Sequence, residues 1–274
     1  MDEQNENKLS EKEYDEDDEL ELNHTDKLVG VFTEPSSTFE KMSNFPPKAT
    51  DWFLPLILLI VIAIVSNFVM MSNPAIKYQV MEKQIGEMEK RFDKMVEDGT
   101  LSREQADQQL EATRNFMESG GATGQAIQSV GIVIVSFIIF FVVSLAFWLA
   151  AKFGLKGEGT YTHSMVAYGL PYYIAIIQTI FVVLVAFITD KFMTGLSVAE
   201  FVDVEKSTLV GFLLSKLDVF SIWFYAVVAI GFARMFKSES TGKYYAMVFG
   251  MWIGFGLLFF FLAKAVPFLG FLNQ

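Results

Sequence analysis

Apolar residues in this chain are collected into five stretches, each long enough for a helix that crosses a bilayer. A hydrocarbon core of about 30 Å needs roughly 20 apolar residues at a rise of about 1.5 Å per residue. The pattern therefore predicts an all-α fold, a polytopic membrane helix bundle of five transmembrane helices. The predicted spans are residues 52–71, 127–151, 166–188, 217–235 and 244–263.

The polar segment between the first two spans, residues 72–126, has a helical pattern of its own. Apolar side chains recur every three or four residues from Met81 to Met95, which is the spacing of a coiled-coil seam. Asp98 and Gly99 predict a turn, and a matching stripe continues to Met117. We expect a helical hairpin outside the membrane, either simply packed on itself or binding a protein partner.

The first 51 residues divide into an acidic tail and an amphipathic segment. Residues 1–26 hold twelve acidic side chains against Lys8 and Lys12, which predicts a disordered tail. Such a tail either solubilises the chain or docks on a basic protein partner, and its charge argues against nucleic acid as a partner. Residues 27–51 are expected to lie at the membrane surface. The side chains expected to face lipid there are Phe32, Phe39, Met42 and Phe45.

The composition narrows the chemistry that this chain can perform. Hydrophobic residues make up 52% of it, there is no cysteine, and the two histidines are His24 and His163. Thiolate nucleophiles and cysteine-ligated zinc are thereby excluded, and no catalytic motif is present. We expect no enzyme activity, no catalytic residue, no cofactor and no metal.

The charges of the short loops predict the orientation in the membrane. Lys152 and Lys156 follow the second span, and three more basic residues flank the turn after the fourth span, namely Arg234, Lys237 and Lys243. By the positive-inside rule, these loops and the N-terminus are expected in the cytoplasm. The hairpin, the loop of residues 189–216 and the C-terminus are then expected outside.

Two polar residues in or beside the spans are candidates for function. Asp218 stands at the mouth of the fourth span, and Gln178 lies near the middle of the third. Asp218 can be the third residue of a helix capped by Ser215, or it can be an ion or proton site shared with Gln178 or Asn67, or it can contact a partner. Gln178 can likewise form a hydrogen bond between helices, or it can be part of a transport site.

The fifth span carries Gly250 and Gly254 at small-xxx-small spacing. Such a flat face permits close helix packing, either within the bundle or between two copies in a homo-oligomer. Trp223, a large aromatic residue inside the fourth span, is expected to pack against its neighbours.

Three segments resemble the Yip family of five-span membrane proteins, in particular its bacterial members. They are GVFTEPSSTFEKM before the first span, YGLPYYIAII entering the third, and LDVFSIWFYAVVAIGFARMFK, which contains the fourth. The resemblance implies a multi-pass protein of the bacterial plasma membrane with a cytoplasmic N-terminus. It also marks Asp218, Trp223, Tyr168 and Pro171 as positions to test. Eukaryotic members act with Rab GTPases, and only the architecture is carried over to this chain.

The function expected from these observations is that of a non-enzymatic membrane protein that organises partners or membrane shape. Its partners would be the lipid bilayer and proteins that bind the acidic tail or the hairpin of residues 78–117. The alternative is a transporter or channel component. Few polar residues lie inside the spans, which argues against a solute path.

Overall fold

A computed structural model describes residues 21–119, 121–202 and 204–265 of the chain. Within these ranges every regular element is helical and no residue belongs to a β-strand, as predicted. Residues 1–20, which form most of the predicted acidic tail, lie outside the described residues. Residues 24–26, the last three residues of the predicted tail, are instead helical. The Asn23 side chain caps this helix by accepting a hydrogen bond from the Asp26 N–H at 2.9 Å.

The chain divides into two compact units, and most of the long helices contribute residues to both. The described part of the first unit is residues 21–56, 141–174 and 224–250. The described part of the second unit is residues 57–140 without 120, 175–223 without 203, and 251–265.

The first unit begins with an arm of two short helices that is packed into the protein. Phe39 and Met42 are buried, so the expectation that they face lipid is wrong. Phe39 lies against Gly231, where an added Cβ would stand 3.0 Å from the end of the phenyl ring. An apolar stripe shows only that a helix face avoids water, and here protein covers that face. The arm consists of α1, His24–Thr33, and α2, Pro35–Met42.

Four helical segments among the described residues are long and apolar enough to cross a membrane. They are Thr50–Ser72, Ala126–Gly154, Tyr161–Thr189 and Thr241–Lys264. The third is interrupted at Leu170 and Pro171, because proline has no N–H to continue the helical ladder. The helices are α3, Thr50–Ser72; α6, Gly121–Leu149, followed by a π-helical turn, Ala150–Gly154; α7, Tyr161–Gly169; α8, Tyr172–Thr189; and α12, Thr241–Ala265.

The fourth predicted span is a bent pair of helices. The axes of the two helices differ by 65°, and only together do they reach the length of a span. The described residues therefore hold a fifth span only if this pair is counted as one. The pair consists of α10, Leu209–Ser215, and α11, Val219–Met235, and the short helix α9, Val198–Phe201, precedes it.

The predicted hairpin is present in the second unit. Its two helices pack against each other, and Ile85 on the first and Ala106 on the second are buried. Most of the predicted seam is only half-buried, and Met95 is exposed. The helices are α4, Pro74–Glu97, and α5, Arg103–Ser119.

The base of the hairpin is joined to the end of α8. Asn73 caps α4 and also donates from Nδ2 to the Asp190 carboxylate at 2.8 Å. Gln79 donates to the backbone carbonyl of Asp190 at 2.7 Å and accepts from the N–H of Phe192 at 2.9 Å. Ile76 and Val80 bury the apolar side of this joint against Ala186. The hairpin therefore has a defined attachment to the third span.

Candidate functional site

Asp218 is the N-cap of α11. Its Oδ1 accepts hydrogen bonds from the N–H groups of Phe220 at 2.9 Å and Ser221 at 3.1 Å, and its carbonyl accepts the first helical bond, from Ile222 at 2.9 Å. The arrangement with Ser215 as the cap is wrong, because Ser215 ends α10 and bonds back to the Phe212 carbonyl at 2.7 Å. A capping interaction at the start of this helix was correctly predicted, but the capping residue is Asp218, which lies three residues after Ser215.

The second oxygen of Asp218 joins three parts of the second unit. Oδ2 accepts from Nε2 of Gln178 on α8 at 2.8 Å and from the N–H of Leu196 in the following loop at 3.1 Å. The structure thus brings together two of the predicted residues, Asp218 and Gln178. No hydrogen bond among the described residues links Asn67 to them.

This arrangement leaves Asp218 little capacity for a further ligand. Its side chain is only 3% exposed, and four N–H donors already occupy the carboxylate. A buried carboxylate that is satisfied in this way fixes the elements around it. No group of three or more His, Cys, Asp or Glu side chains in the described residues is placed to hold a metal ion.

Tyr168 belongs to the first unit and lies in an aromatic cluster. Its ring centroid is 5.2 Å from that of Tyr172, 5.7 Å from Phe147 and 5.9 Å from Phe224, and all four side chains are buried. Pro171 ends the helix that carries Tyr168. These contacts give the YGLPYY segment a packing role.

Trp223 is half-buried on α11. The next residue, Phe224, is the buried aromatic side chain at this point of the helix and stacks on Tyr172 with 5.7 Å between centroids. Packing by Trp223 itself stays a prediction.

Gly250 and Gly254 are exposed on α12, and an added Cβ at either position would meet no described atom within 4 Å. The expectation of close packing within the bundle is therefore wrong for these two glycines. The small-xxx-small spacing marks a flat face but does not show what lies against it. A contact in a homo-oligomer stays a prediction.

Sequence reasoning missed a buried ion pair in the first unit. Lys27 on α1 donates to both carboxylate oxygens of Asp51 on α3, at 3.0 and 2.9 Å, and the two residues are 4% and 2% exposed. His24 lies beside the pair, with Nε2 2.6 Å from the Tyr173 hydroxyl and Nδ1 3.8 Å from Asp51. Two features of the sequence could have indicated this pair: Lys27 stands beside the apolar run LVGVF, and Asp51 stands in the first turn of a span.

A cleft of about 610 Å³ lies between the hairpin and the loop that follows α8, within the second unit. The α4 wall includes Gly86 and Lys90, and the opposite wall includes Phe192, Glu200 and Lys206. Lys206 donates to Glu200 at 2.5 Å and to Thr194 at 2.7 Å, so the loop wall is held in shape. Burial of Glu200 opposes its ionisation, but the hydrogen bonds that its carboxylate accepts from Lys206 and Thr194, together with the charge of Lys206, lower the pKa of Glu200 below its ordinary value.

The membrane region of the chain matches the model of a known protein family. The comparisons with curated proteins and with solved structures gave no match. The family model of the Yip1 domain matches residues 29–263. This range includes α1 from Val29 onward, the whole of α2, the hairpin, and every candidate span except the final residue of the last one, Lys264. This match covers most of the chain, and the chain therefore belongs to the Yip1 domain family.

Proposed function

We propose that this chain is a non-enzymatic membrane protein that organises protein partners or membrane shape, with the hairpin cleft as its docking surface. The observation that carries the proposal is the cleft of about 610 Å³ between α4 and the loop after α8. Its two walls are fixed by the Asn73, Gln79 and Asp190 hydrogen bonds at the base and by the Lys206–Glu200 pair. A preformed polar and apolar groove of this kind suits a polypeptide partner.

The proposed setting is the bacterial plasma membrane, with the N-terminus in the cytoplasm and the hairpin outside. The orientation is supported by the basic residues of the loops after the second and fourth spans, which include Lys156 and Lys237. The acidic tail would then offer a second docking segment on the cytoplasmic side, and the Gly250 face would be available to a second copy.

Site-specific photo-crosslinking in native membranes tests the docking surface. Gly86 is the suitable position in the cleft, because no described atom lies within 4 Å of a Cβ placed there. Gln108, exposed on α5 and not part of the cleft lining, is the matched control. We expect a reproducible crosslinked protein with the probe at 86 and not at 108. The same products from both positions, or none from either, would count against the proposal.

The rival function, transport, predicts a different result. The four hydrogen bonds to Asp218 argue against a free polar path at that residue. A liposome assay with the purified full chain separates the two functions, since solute flux that depends on Asp218 would favour the transporter.

A further inference from the structure

Lys216 occupies an unusual position at the break between α10 and α11. Its ammonium nitrogen lies 5.0 Å from the Phe212 ring centroid and 5.5 Å from that of Trp252. Gly256 gives it room on α12, because an added Cβ there would stand 3.2 Å from Nζ. The lysine therefore ends in a notch made by two aromatic rings and one glycine.

This notch lies beside the inner part of α12. Gly256 precedes the last residue of α12, Ala265, by nine residues, which is about 13 Å along the helix. The helix as a whole is about 37 Å long, against about 30 Å for a hydrocarbon core. The ammonium of Lys216 therefore lies closer to the middle of α12 than to its end.

The polar loop after α8 reaches a similar depth. Gln178 lies about 16 Å along α8 from its last residue, Thr189. Since Asp218 binds both Gln178 and the Leu196 N–H, the loop folds back beside the helix that it has just left. The N–H of Val198 also bonds to the Leu217 carbonyl at 2.9 Å, directly after Lys216. Non-helical backbone at this depth is tolerated only in protein or beside water.

Lys216 has no anionic partner among the described residues. The nearby Asp218 carboxylate is used by four N–H donors, and no described carboxylate lies within 4 Å of the Lys216 ammonium. The neighbouring side chain whose charge acts on it is another cation, Lys206. Lys216 is also only half-buried, so part of the ammonium remains accessible. A lysine held in this way within a membrane protein calls for an external anion.

The surroundings of the notch suit an amphiphilic anion. Apolar side chains exposed on α10 and at its end flank the lysine, and exposed phenylalanine and leucine side chains follow on α12. The α10 group consists of Leu209, Val210, Leu213 and Leu217. A compact phosphate matches a lysine ammonium, and acyl chains match the surface beside it.

We propose that Lys216, Phe212, Trp252 and Gly256 form a binding site for the phosphate group of a glycerophospholipid. The polar loop after α8 provides a polar surface beside the notch, and the two rings hold the ammonium in place. Gly256 has no side chain, so the Lys216 ammonium and the Phe212 ring can lie close to α12 at this point.

Native mass spectrometry of the detergent-solubilised full chain tests this site. The probes are phosphatidylglycerol and diacylglycerol at equal concentration, since diacylglycerol lacks the phosphate. We expect wild-type protein to retain phosphatidylglycerol and not diacylglycerol, and Lys216→Met to retain about tenfold less, which corresponds to about 1.4 kcal/mol. Lys216→Arg should keep most of the retention.

Lys264→Met is the matched control, because Lys264 also lies over a phenylalanine, with Nζ 4.5 Å from the Phe260 centroid, but at the end of α12. Equal retention by wild type and Lys216→Met would overturn the proposal. So would displacement of the lipid by inorganic phosphate, which would assign the site to a free anion. If Lys216→Met does not fold, Gly256→Ala decides: it keeps the lysine but fills the notch, and unchanged retention in that variant would also refute the site.

Discussion

Lys27 and Asp51 are 24 residues apart in the chain, yet the lysine donates to both oxygens of the carboxylate, at 3.0 and 2.9 Å. The pair attaches the N-terminal arm to the start of the first span. Its burial makes it different from the exposed pair that Lys48 forms with Glu21, in which the lysine side chain is 55% exposed.

Removing one partner of the buried pair should therefore be costly. Asp51→Asn leaves the Lys27 charge buried without a counter-charge and should lower the free energy of unfolding by about 3–5 kcal/mol. The double variant Lys27→Met/Asp51→Leu should recover most of this loss, because both charges are then absent. Lys48→Met, the control, should cost about 1 kcal/mol or less. Denaturant unfolding of the purified variants measures all three, and a double variant as unstable as Asp51→Asn would contradict the electrostatic explanation.

Gly231 and Gly250 should respond in opposite ways to an added methyl group. A Cβ at Gly231 would lie 3.0 Å from the Phe39 ring and 3.1 Å from the Ala167 carbonyl, so Gly231→Ala should destabilise by about 1–3 kcal/mol through overpacking. Gly250 has open space, and Gly250→Ala should be neutral or stabilising by up to about 1 kcal/mol, as expected for a helix interior.

The same Gly250→Ala variant tests the homo-oligomer. If two copies meet at the Gly250 face, the methyl group should shift the chain towards monomer, as measured by mass photometry of the solubilised protein. An unchanged oligomeric state would exclude this face as the contact.

The helices were predictable from the sequence because their patterns are strong. Uninterrupted apolar runs marked the spans, and the recurrence from Met81 to Met95 marked α4. Boundaries set by local chemistry were less secure. Asp218 and Ser215 both resemble caps in sequence, and only the path of the chain decides which one faces the free N–H groups.

Contacts between distant residues could not be predicted in the same way. Hydrophobic periodicity shows that Phe39 avoids water, but not that Gly231 covers it in place of lipid. Likewise, nothing in the spacing of Lys27 and Asp51 encodes their pairing. Asp218 and Gln178 could be recognised from the sequence as polar residues in or beside spans. The hydrogen bond from the Leu196 N–H could not be predicted, because it depends on the loop that folds back after α8.

Glu200 should make the loop wall of the cleft sensitive to acid. Its pKa lies below the ordinary value of 4.5, so its carboxylate stabilises the folded loop above that pH, and the stabilisation is lost as the pH falls through the lowered pKa. The protection of the loop amides against hydrogen exchange, relative to their intrinsic exchange rates at the same pH, should therefore decrease as the pH falls through the lowered pKa of Glu200. Glu200→Gln should exchange faster already at pH 7, with a cost of about 1 kcal/mol or less because the pair is partly exposed. Glu111→Gln, at an exposed position on α5, should behave as wild type.

Orientation in the membrane can be measured without background labelling, because the chain has no cysteine. Lys94 on the hairpin and Lys156 after the second span are both exposed in the structure. In intact cells, an impermeant thiol reagent should label Lys94→Cys and not Lys156→Cys, and both should react after lysis. The reverse pattern would invert the proposed topology.

Asp218 distinguishes a structural from a transport role most directly. Asp218→Asn keeps the cap acceptor for Phe220 and Ser221, but its amide nitrogen would face two donors, Gln178 Nε2 and the Leu196 N–H. Gln178 can turn its amide over and accept instead, whereas the Leu196 N–H loses its partner, at a cost of about 1–3 kcal/mol. Asp218→Ala also loses the cap, worth about 0.5–2 kcal/mol, and should be less stable than Asp218→Asn. Gln178→Met, which removes a single donor to the carboxylate, should be the mildest of the three. Thermal unfolding and crosslinking from position 86 should decline together across this series, because the carboxylate acts by holding the loop. Normal stability with loss of a transport activity in Asp218→Asn would instead show that the charge itself is the functional group.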